Sequence, residues 1–264
     1  MPIVNAKNKI HSLRNRDLKS HTSMQSTYAS MPVSRAENKL AGAAQAFSYD
    51  FRGKTVLDIG SSTGGFTEYA LLRGAKKVIA VEKGTKQMKA PLRFDPRIDL
   101  REKTDIFSVT RDSLSRDQSE PKVNEAKTSK TKVNESKIDE TKINETKANI
   151  KIDTILADVS FISLKQVLIH AKKQLASSQT DFLVMLKPQF EARPFQLKNG
   201  VVKNETIRRD IIKDFELWLK NNGFLVINKR DNLLAGKNGN LERFYFLKVA
   251  ARSATHRTLL TNHK

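Results

Sequence analysis

Two sets of residues in this sequence could do chemistry. The first surrounds LDIGSSTGGF (Leu57–Phe66), a glycine-rich stretch that follows an apolar run. From Gly60 it reads G-S-S-T-G-G, so Ser62 stands where a dinucleotide loop of the form G-x-G-x-x-G keeps the glycine that lets backbone approach a pyrophosphate. A dinucleotide therefore fits poorly. Asp58 precedes the first glycine and Glu82 ends the next apolar run, which favours a ligand without phosphate, carrying a positive centre and ribose hydroxyls to be accepted. S-adenosylmethionine meets these conditions. Gly60, Ser61, Gly64, Gly65 and Phe66 would form its loop, Glu82 would hold the ribose, and Asp105 could meet the adenine amine.

The second set is Lys39, Asp158, Lys187 and Glu242. Asp158, in ADVSFISLKQVL, follows an apolar run, as does Lys187 in DFLVMLKP, and a sheet interior would not tolerate either group unpaired. Lys39 lies in SRAENKLAGAAQAF, where Ser34 and Glu37 form a capping-box pattern before a helix with Leu40, Ala43, Ala44 and Phe47 on one side. Glu242 follows GKNGN and opens a last strand. Taken singly, a surface lysine and a strand-end carboxylate are ordinary. Asp158 belongs to both sets, since it faces the ligand end of the sheet as well.

Other chemistries are excluded or unsupported. The chain has no cysteine, which removes disulfides, thiolate zinc sites and thiol nucleophiles. Of its five histidines, His11, His21, His256 and His263 lie near the termini and His170 stands alone, so no pair has metal-ligand spacing and no metal is expected.

Strands and helices must position these residues, and they alternate regularly. Strands are expected over KTVLDIG (54–60), KVIAVE (77–82), IDLRE (98–102), KIDTILADV (151–159), DFLVMLKP (181–188), FLVINKR (224–230) and ERFYFLKV (242–249). Helices are expected over GGFTEYALLRG, stopping at Gly74, over LKQVLIHAKKQL, and over NETIRRDIIKDFELWLKNNG, stopping at Gly223. The pattern implies an α/β fold with a doubly wound, mostly parallel seven-stranded sheet and helices on both faces. In such folds ligands bind beyond the carboxyl ends of the strands, where Asp58, Glu82, Asp158 and Lys187 all fall.

The 264-residue chain divides accordingly: a basic tail (1–31), one main domain (32–250), and a basic C-terminal tail (251–264). Within the domain, 111–151 carries three ten-residue units, KVNEAKTSKT, KVNESKIDET and KINETKANIK, with only isolated Val and Ile side chains. Stacking such units would not repay their ordering entropy, so a flexible insertion is expected. Its ten basic and eight acidic residues contribute little to the net charge of +20, which therefore falls mostly on the rest of the chain. That excess suits a polyanionic partner, nucleic acid first. The run Phe182–Leu186 is too short to cross a bilayer and the N-terminus has no apolar signal-like stretch, so a soluble, cytoplasmic protein is expected, with a disordered extension or an organellar transit peptide as readings of the first thirty residues.

The blocks VSRAENKLAGA, VLDIGSSTGGFT, ADVSFISL, LKPQFEA, GVVKNE and GNLERFYFL resemble, in order, those of the TlyA (hemolysin-A-like) family within the FtsJ-like ribose methyltransferases, from Val33 to Val249 without the repeats. The resemblance implies a class I methyltransferase fold, S-adenosylmethionine as donor, and 2′-O-methylation of RNA, ribosomal RNA above all, by a Lys-Asp-Lys-Glu tetrad falling on Lys39, Asp158, Lys187 and Glu242. A ribose hydroxyl must lose its proton while it attacks the methyl group. Lys187 is the expected base, which requires its pKa to be depressed from the usual lysine range; Lys39 would push it down, while Asp158 and Glu242 would oppose the shift and orient the amine. Two departures stand out: Ala36 and Glu37 replace the family's paired glycines, and the family's small N-terminal RNA-binding domain has no counterpart in the residues before Val33. The competing expectation is a non-catalytic RNA-binding or ribosome-assembly module that keeps the fold.

Overall fold

The computed structural model describes residues 35–115, 150–233, 235–236 and 238–250. Its helices are α1 (Arg35–Ala46), α2 (Gly65–Leu72), α3 (Arg111–Ser115), α4 (Leu164–Gln174) and α5 (Glu205–Asn221). Its strands are β1 (Thr55–Ile59), β2 (Lys77–Val81), β3 (Ile98–Arg101), β4 (Thr154–Ala157), β5 (Asp181–Leu186), β6 (Phe224–Asp231) and β7 (Arg243–Val249). They form one sheet in the order β3-β2-β1-β4-β5-β7-β6. The first five strands are parallel, and β7 runs antiparallel between β5 and β6.

Burial explains the strand sequences. β4 (TILA) and β5 (DFLVML) are buried along their whole length, as strands covered on both faces must be. Alternation along each strand then divides the core in two. Leu57, Ile59, Ile79 and Ile155 pack under α4 and α5 with Val167, Leu168, Ile212 and Phe215. Val56, Val78, Leu156 and Met185 pack on the other face with Leu40 and Ala44 of α1 and Phe66 and Ala70 of α2. Asp58, two residues after Val56, shares the α2 face of β1, which is why its carboxylate meets Thr67 rather than solvent.

The expected stops hold, and the structure adds two caps. Gly74 and Gly223 take positive φ beyond the ends of α2 and α5. Ser163 caps α4 through Lys165 N, and Asn204 caps α5 through Thr206 N and Ile207 N. The Ser34 half of the capping box lies outside the described residues, as do both tails.

Most strands are trimmed or extended by one to three residues at their ends, and two differences bear on the site and the insertion. Glu242 stands one residue before β7 instead of opening it, because Arg243 is the first residue paired to β5. The insertion was expected from residue 111, yet Arg111–Ser115 is helical and packed: Leu114 is buried in the core, and Arg101 donates to the carbonyls of Ser113 and Leu114. Arg111 in turn donates to the carbonyls of Leu175 and Ala176, fastening α3 to the end of α4. The rest of the repeat segment, 116–149, lies outside the described residues.

Candidate active site

The strand order reverses direction between β1 and β4, and a cleft of about 570 Å³ opens there, beyond the carboxyl ends of β1, β2 and β4. Gly60 and Asp158 follow those strands directly. Gly60 has φ of +79°, and a Cβ on it would sit 3.1 Å from the carbonyl oxygen of Asp158. Glycine therefore satisfies both the backbone conformation and the close approach of the two strand ends. Gly64, with φ of +96°, precedes α2, and a side chain there would run into Leu92 and Met88. Gly65 begins α2 itself, and Gly64 N closes the loop on Ser61 O at 2.7 Å.

The polar groups of this cradle fit an adenosyl ligand that carries no phosphate. Glu82 lies on the cleft wall, its Oε2 accepting from Ser62 N (2.8 Å) and its Oε1 from Gly84 N (2.7 Å) and Gln87 Nε2 (3.2 Å). Asp105 also lines the cleft; its Oδ1 accepts from Phe107 N and its Oδ2 from Lys83 Nζ (3.0 Å), contacts that lower its pKa. A carboxylate oxygen has room for a second donor, so neither acid is saturated by these bonds. Ser61 Oγ is buried without a hydrogen-bond partner, as is Asp58 Oδ1.

Asp58 and Phe66 stand behind the cleft instead of on its wall. Asp58 is fully buried; Oδ2 accepts from Thr67 Oγ1 at 2.6 Å, and desolvation, with help from the charges of Asp158 and Glu82, pushes its pKa up to about 7. Phe66 is a core residue whose ring lies 5.8 Å from that of Phe244. Its side chain supports the start of α2 from below.

The four remaining candidates come together as two ion pairs. Lys39 Nζ, projected from α1, lies 2.5 Å from Glu242 Oε2, and both side chains are nearly closed to solvent. Lys187 Nζ lies 2.6 Å from Asp158 Oδ1 in an ionic contact without hydrogen-bond alignment, and it also donates to Ser160 Oγ at 2.8 Å. The two pairs stand at the same end of the sheet, where Asp158 lines the cleft and Lys39, Lys187 and Glu242 lie outside its lining. Leu186 and Arg243 are the last registered partners of β5 and β7, so Lys187 and Glu242 each stand one residue beyond that pair at the same end. Among the described residues, no group of three or more His, Asp or Glu could hold a metal.

Aromatic residues on two loops stand beside the cleft, one of which, Phe161, lines it. Phe161, three residues after Asp158, is exposed and takes φ of +68°, a left-handed conformation that is strained for a bulky side chain. Its ring lies 5.3 Å from that of Phe190, on the short turn Pro188–Phe190 that follows Lys187. Glu191 joins the two loops: it accepts from Ser163 Oγ (2.7 Å) and Leu164 N (2.6 Å), and burial raises its pKa. The LKPQFEA segment is thus fastened to the start of α4. A second, open cleft of about 630 Å³ lies along α4, lined by His170, Lys173 and Trp218, and contains none of the tetrad.

The chain matches the FtsJ-like methyltransferase family over residues 32–249. It is 32% identical over 218 residues to the 16S/23S rRNA (cytidine-2′-O)-methyltransferase TlyA of Mycobacterium tuberculosis, covering 82% of this chain and 68% of that one. It is 28% identical over 211 residues to Hemolysin A of Brachyspira hyodysenteriae, covering 80% and 74%. A solved structure of a hemolysin candidate from Streptococcus thermophilus superposes with a TM-score of 0.65 at 28% identity, over 83% of this chain and 67% of the other. With its strand order, glycine-rich loop and family match agreeing, the chain belongs to the FtsJ-like methyltransferases.

Proposed function

We propose that this protein methylates the 2′-oxygen of a ribose in ribosomal RNA, with S-adenosylmethionine as donor. The observation that carries the reading is that Lys39 with Glu242 and Lys187 with Asp158 form two ion pairs at the same end of the sheet, beside the cleft that Asp158 lines. The identity to a relative named as an rRNA (cytidine-2′-O)-methyltransferase supports ribosomal RNA, and cytidine, as target. The net charge of +20 suits such a partner.

When bound, S-adenosylmethionine supplies an electrophilic methyl group on a sulfonium that leaves as a neutral thioether. In this reading Glu82 accepts the ribose hydroxyls of the cofactor, Asp105 meets the adenine amine, and the loop from Gly60 to Gly65 gives backbone access to the rest. The Lys187 amine would take the proton from the target 2′-hydroxyl as that oxygen accepts the methyl group. Asp158 and Ser160 hold that amine in place. Lys39, fixed by Glu242, presents a cation to the target ribose or its phosphate. Phe161 and Phe190 offer apolar faces on which the base of the target nucleotide stacks, as RNA sites commonly use exposed aromatics for unpaired bases. A working site of this kind belongs in the cytoplasm, where ribosomal RNA is available.

The test is to incubate the protein with ribosomal RNA and methyl-labelled S-adenosylmethionine and to map 2′-O-methyl marks. A new mark that depends on the protein and disappears in Lys187→Ala is the expected result. RNA binding without any methyl transfer would instead support a non-catalytic assembly module.

A further inference from the structure

Gln87, which the reading above leaves without a role, lies across the place assigned to the ribose. Its Nε2 donates to Glu82 Oε1 at 3.2 Å, and its Oε1 accepts from Ser62 Oγ at 2.9 Å. One side chain thus bridges the strand-end acid and the glycine-rich loop, and it lines the cleft.

A carboxylate offers about four lone-pair positions. In Glu82 three of them are taken, by Ser62 N, Gly84 N and Gln87 Nε2. A ribose diol that binds both oxygens needs two. The two backbone donors are fixed by the chain and sit at 2.8 and 2.7 Å, whereas the Gln87 bond is the longest and is carried by a rotatable side chain. Gln87 is the donor that can give way.

Gly84 supplies an independent observation. Its φ is not in the left-handed region, so backbone conformation does not call for glycine there. What a side chain would meet is the Gln87 amide: a Cβ on Gly84 would land on Gln87 Nε2 and come within 3.1 Å of Glu82 Oε1. The bare position at 84 is the room in which the Gln87 amide reaches Glu82.

We propose that Gln87 is a latch on the ribose subsite: its amide holds the Glu82 lone pair that one ribose hydroxyl would take on binding. Opening the latch also releases Ser62 Oγ, so entry of the nucleoside and adjustment of the glycine-rich loop are coupled. The proposal rests on the cofactor reading given above. It makes Gln87 a positioning and specificity residue, since the amide reoccupies Glu82 whenever a ligand lacks the hydroxyl and so softens the penalty for the wrong nucleoside.

Calorimetric titration with S-adenosylhomocysteine, and with its 2′-deoxy and 3′-deoxy analogues, tests this on the wild type, Gln87→Ala and Gly84→Ala. Gly84→Ala evicts the same amide without removing it, which separates loss of the latch from loss of the side chain. Both variants are expected to bind S-adenosylhomocysteine about threefold to tenfold more tightly. Both should also discriminate against one deoxy analogue about tenfold more strongly than the wild type, the scale of one hydrogen bond to a charged group. Weaker binding in both variants, or unchanged discrimination, would overturn the latch and make Gln87 a structural prop. A wild type that binds no S-adenosylhomocysteine at all would instead remove the cofactor reading, and the latch with it.

Discussion

Lys39 and Glu242, separated by 203 positions in the chain, are joined by a 2.5 Å contact in which neither side chain is appreciably open to water. The pair ties α1 to the strand that enters the middle of one half of the sheet. Removing one partner of a buried ion pair strands the other charge, at a cost of about 3–5 kcal/mol. Lys39→Ala should lose roughly that much stability in denaturant unfolding and should lose methyl transfer too. The double variant Lys39→Met with Glu242→Leu should recover most of the stability and none of the activity. If the double variant methylated RNA normally, the pair would be structural only.

Lys187 should behave differently, because its charge is shared with Asp158 and Ser160 at the mouth of the cleft. Lys187→Ala and Lys187→Arg should both lower single-turnover methyl transfer by about 10²–10⁴-fold, the usual contribution of a general base. Arginine keeps the charge but cannot accept the proton. Affinity for S-adenosylhomocysteine should change little in either variant, and a normal rate in Lys187→Arg would rule out base catalysis at this position.

Asp58 predicts a pH dependence of stability. Its folded pKa, about 7, lies above the ordinary carboxylate value of 3.8, so the folded protein holds this proton more tightly than the unfolded chain does. The contribution is complete below about pH 4 and is lost as pH rises to about 7, with an upper size of about 4 kcal/mol. Unfolding midpoints of wild type and Asp58→Asn across pH 4 to 8 should show this slope in the wild type alone. Parallel profiles would mean that Asp58 titrates normally.

Phe161 separates RNA contact from folding. It is 89% exposed and held in left-handed backbone, so no core contact accounts for its ring. Phe161→Gly should leave stability within about 1 kcal/mol, since release of backbone strain offsets the loss of contact with Phe190. Methylation at low RNA concentration should fall at least about tenfold, as expected when one base loses an aromatic platform. An unchanged KM for RNA would remove the stacking role.

RNA binding should weaken linearly in log affinity against log salt concentration, because phosphate neutralisation releases counterions. Filter binding of ribosomal RNA between 50 and 200 mM salt, on the order of the range over which such slopes are resolved, measures it. A flat response would mean that the basic charge does not face the RNA.

Lys39 and Glu242 take their candidacy from the family resemblance, whereas the sequence by itself determined the alternation of strands and helices, the ligand end of the sheet, the glycine-rich loop and the charges that end two apolar runs. These are local signals: hydrophobic period, caps, turn glycines and charges that interrupt apolar runs at Asp158 and Lys187. Only the tertiary structure decided which charge meets which. The pairing of Lys39 with Glu242 depends on β7 entering antiparallel between β5 and β6, and that of Lys187 with Asp158 on β5 lying parallel beside β4, placements set by long-range register rather than by any local pattern. The same holds for the Gln87 bridge to Ser62, the contact between Phe161 and Phe190, and the packing of Leu114 that makes a helix of the first residues of the expected insertion. Each of these is a contact between segments whose separation the sheet fixes, so its energy appears only once the strands are in order.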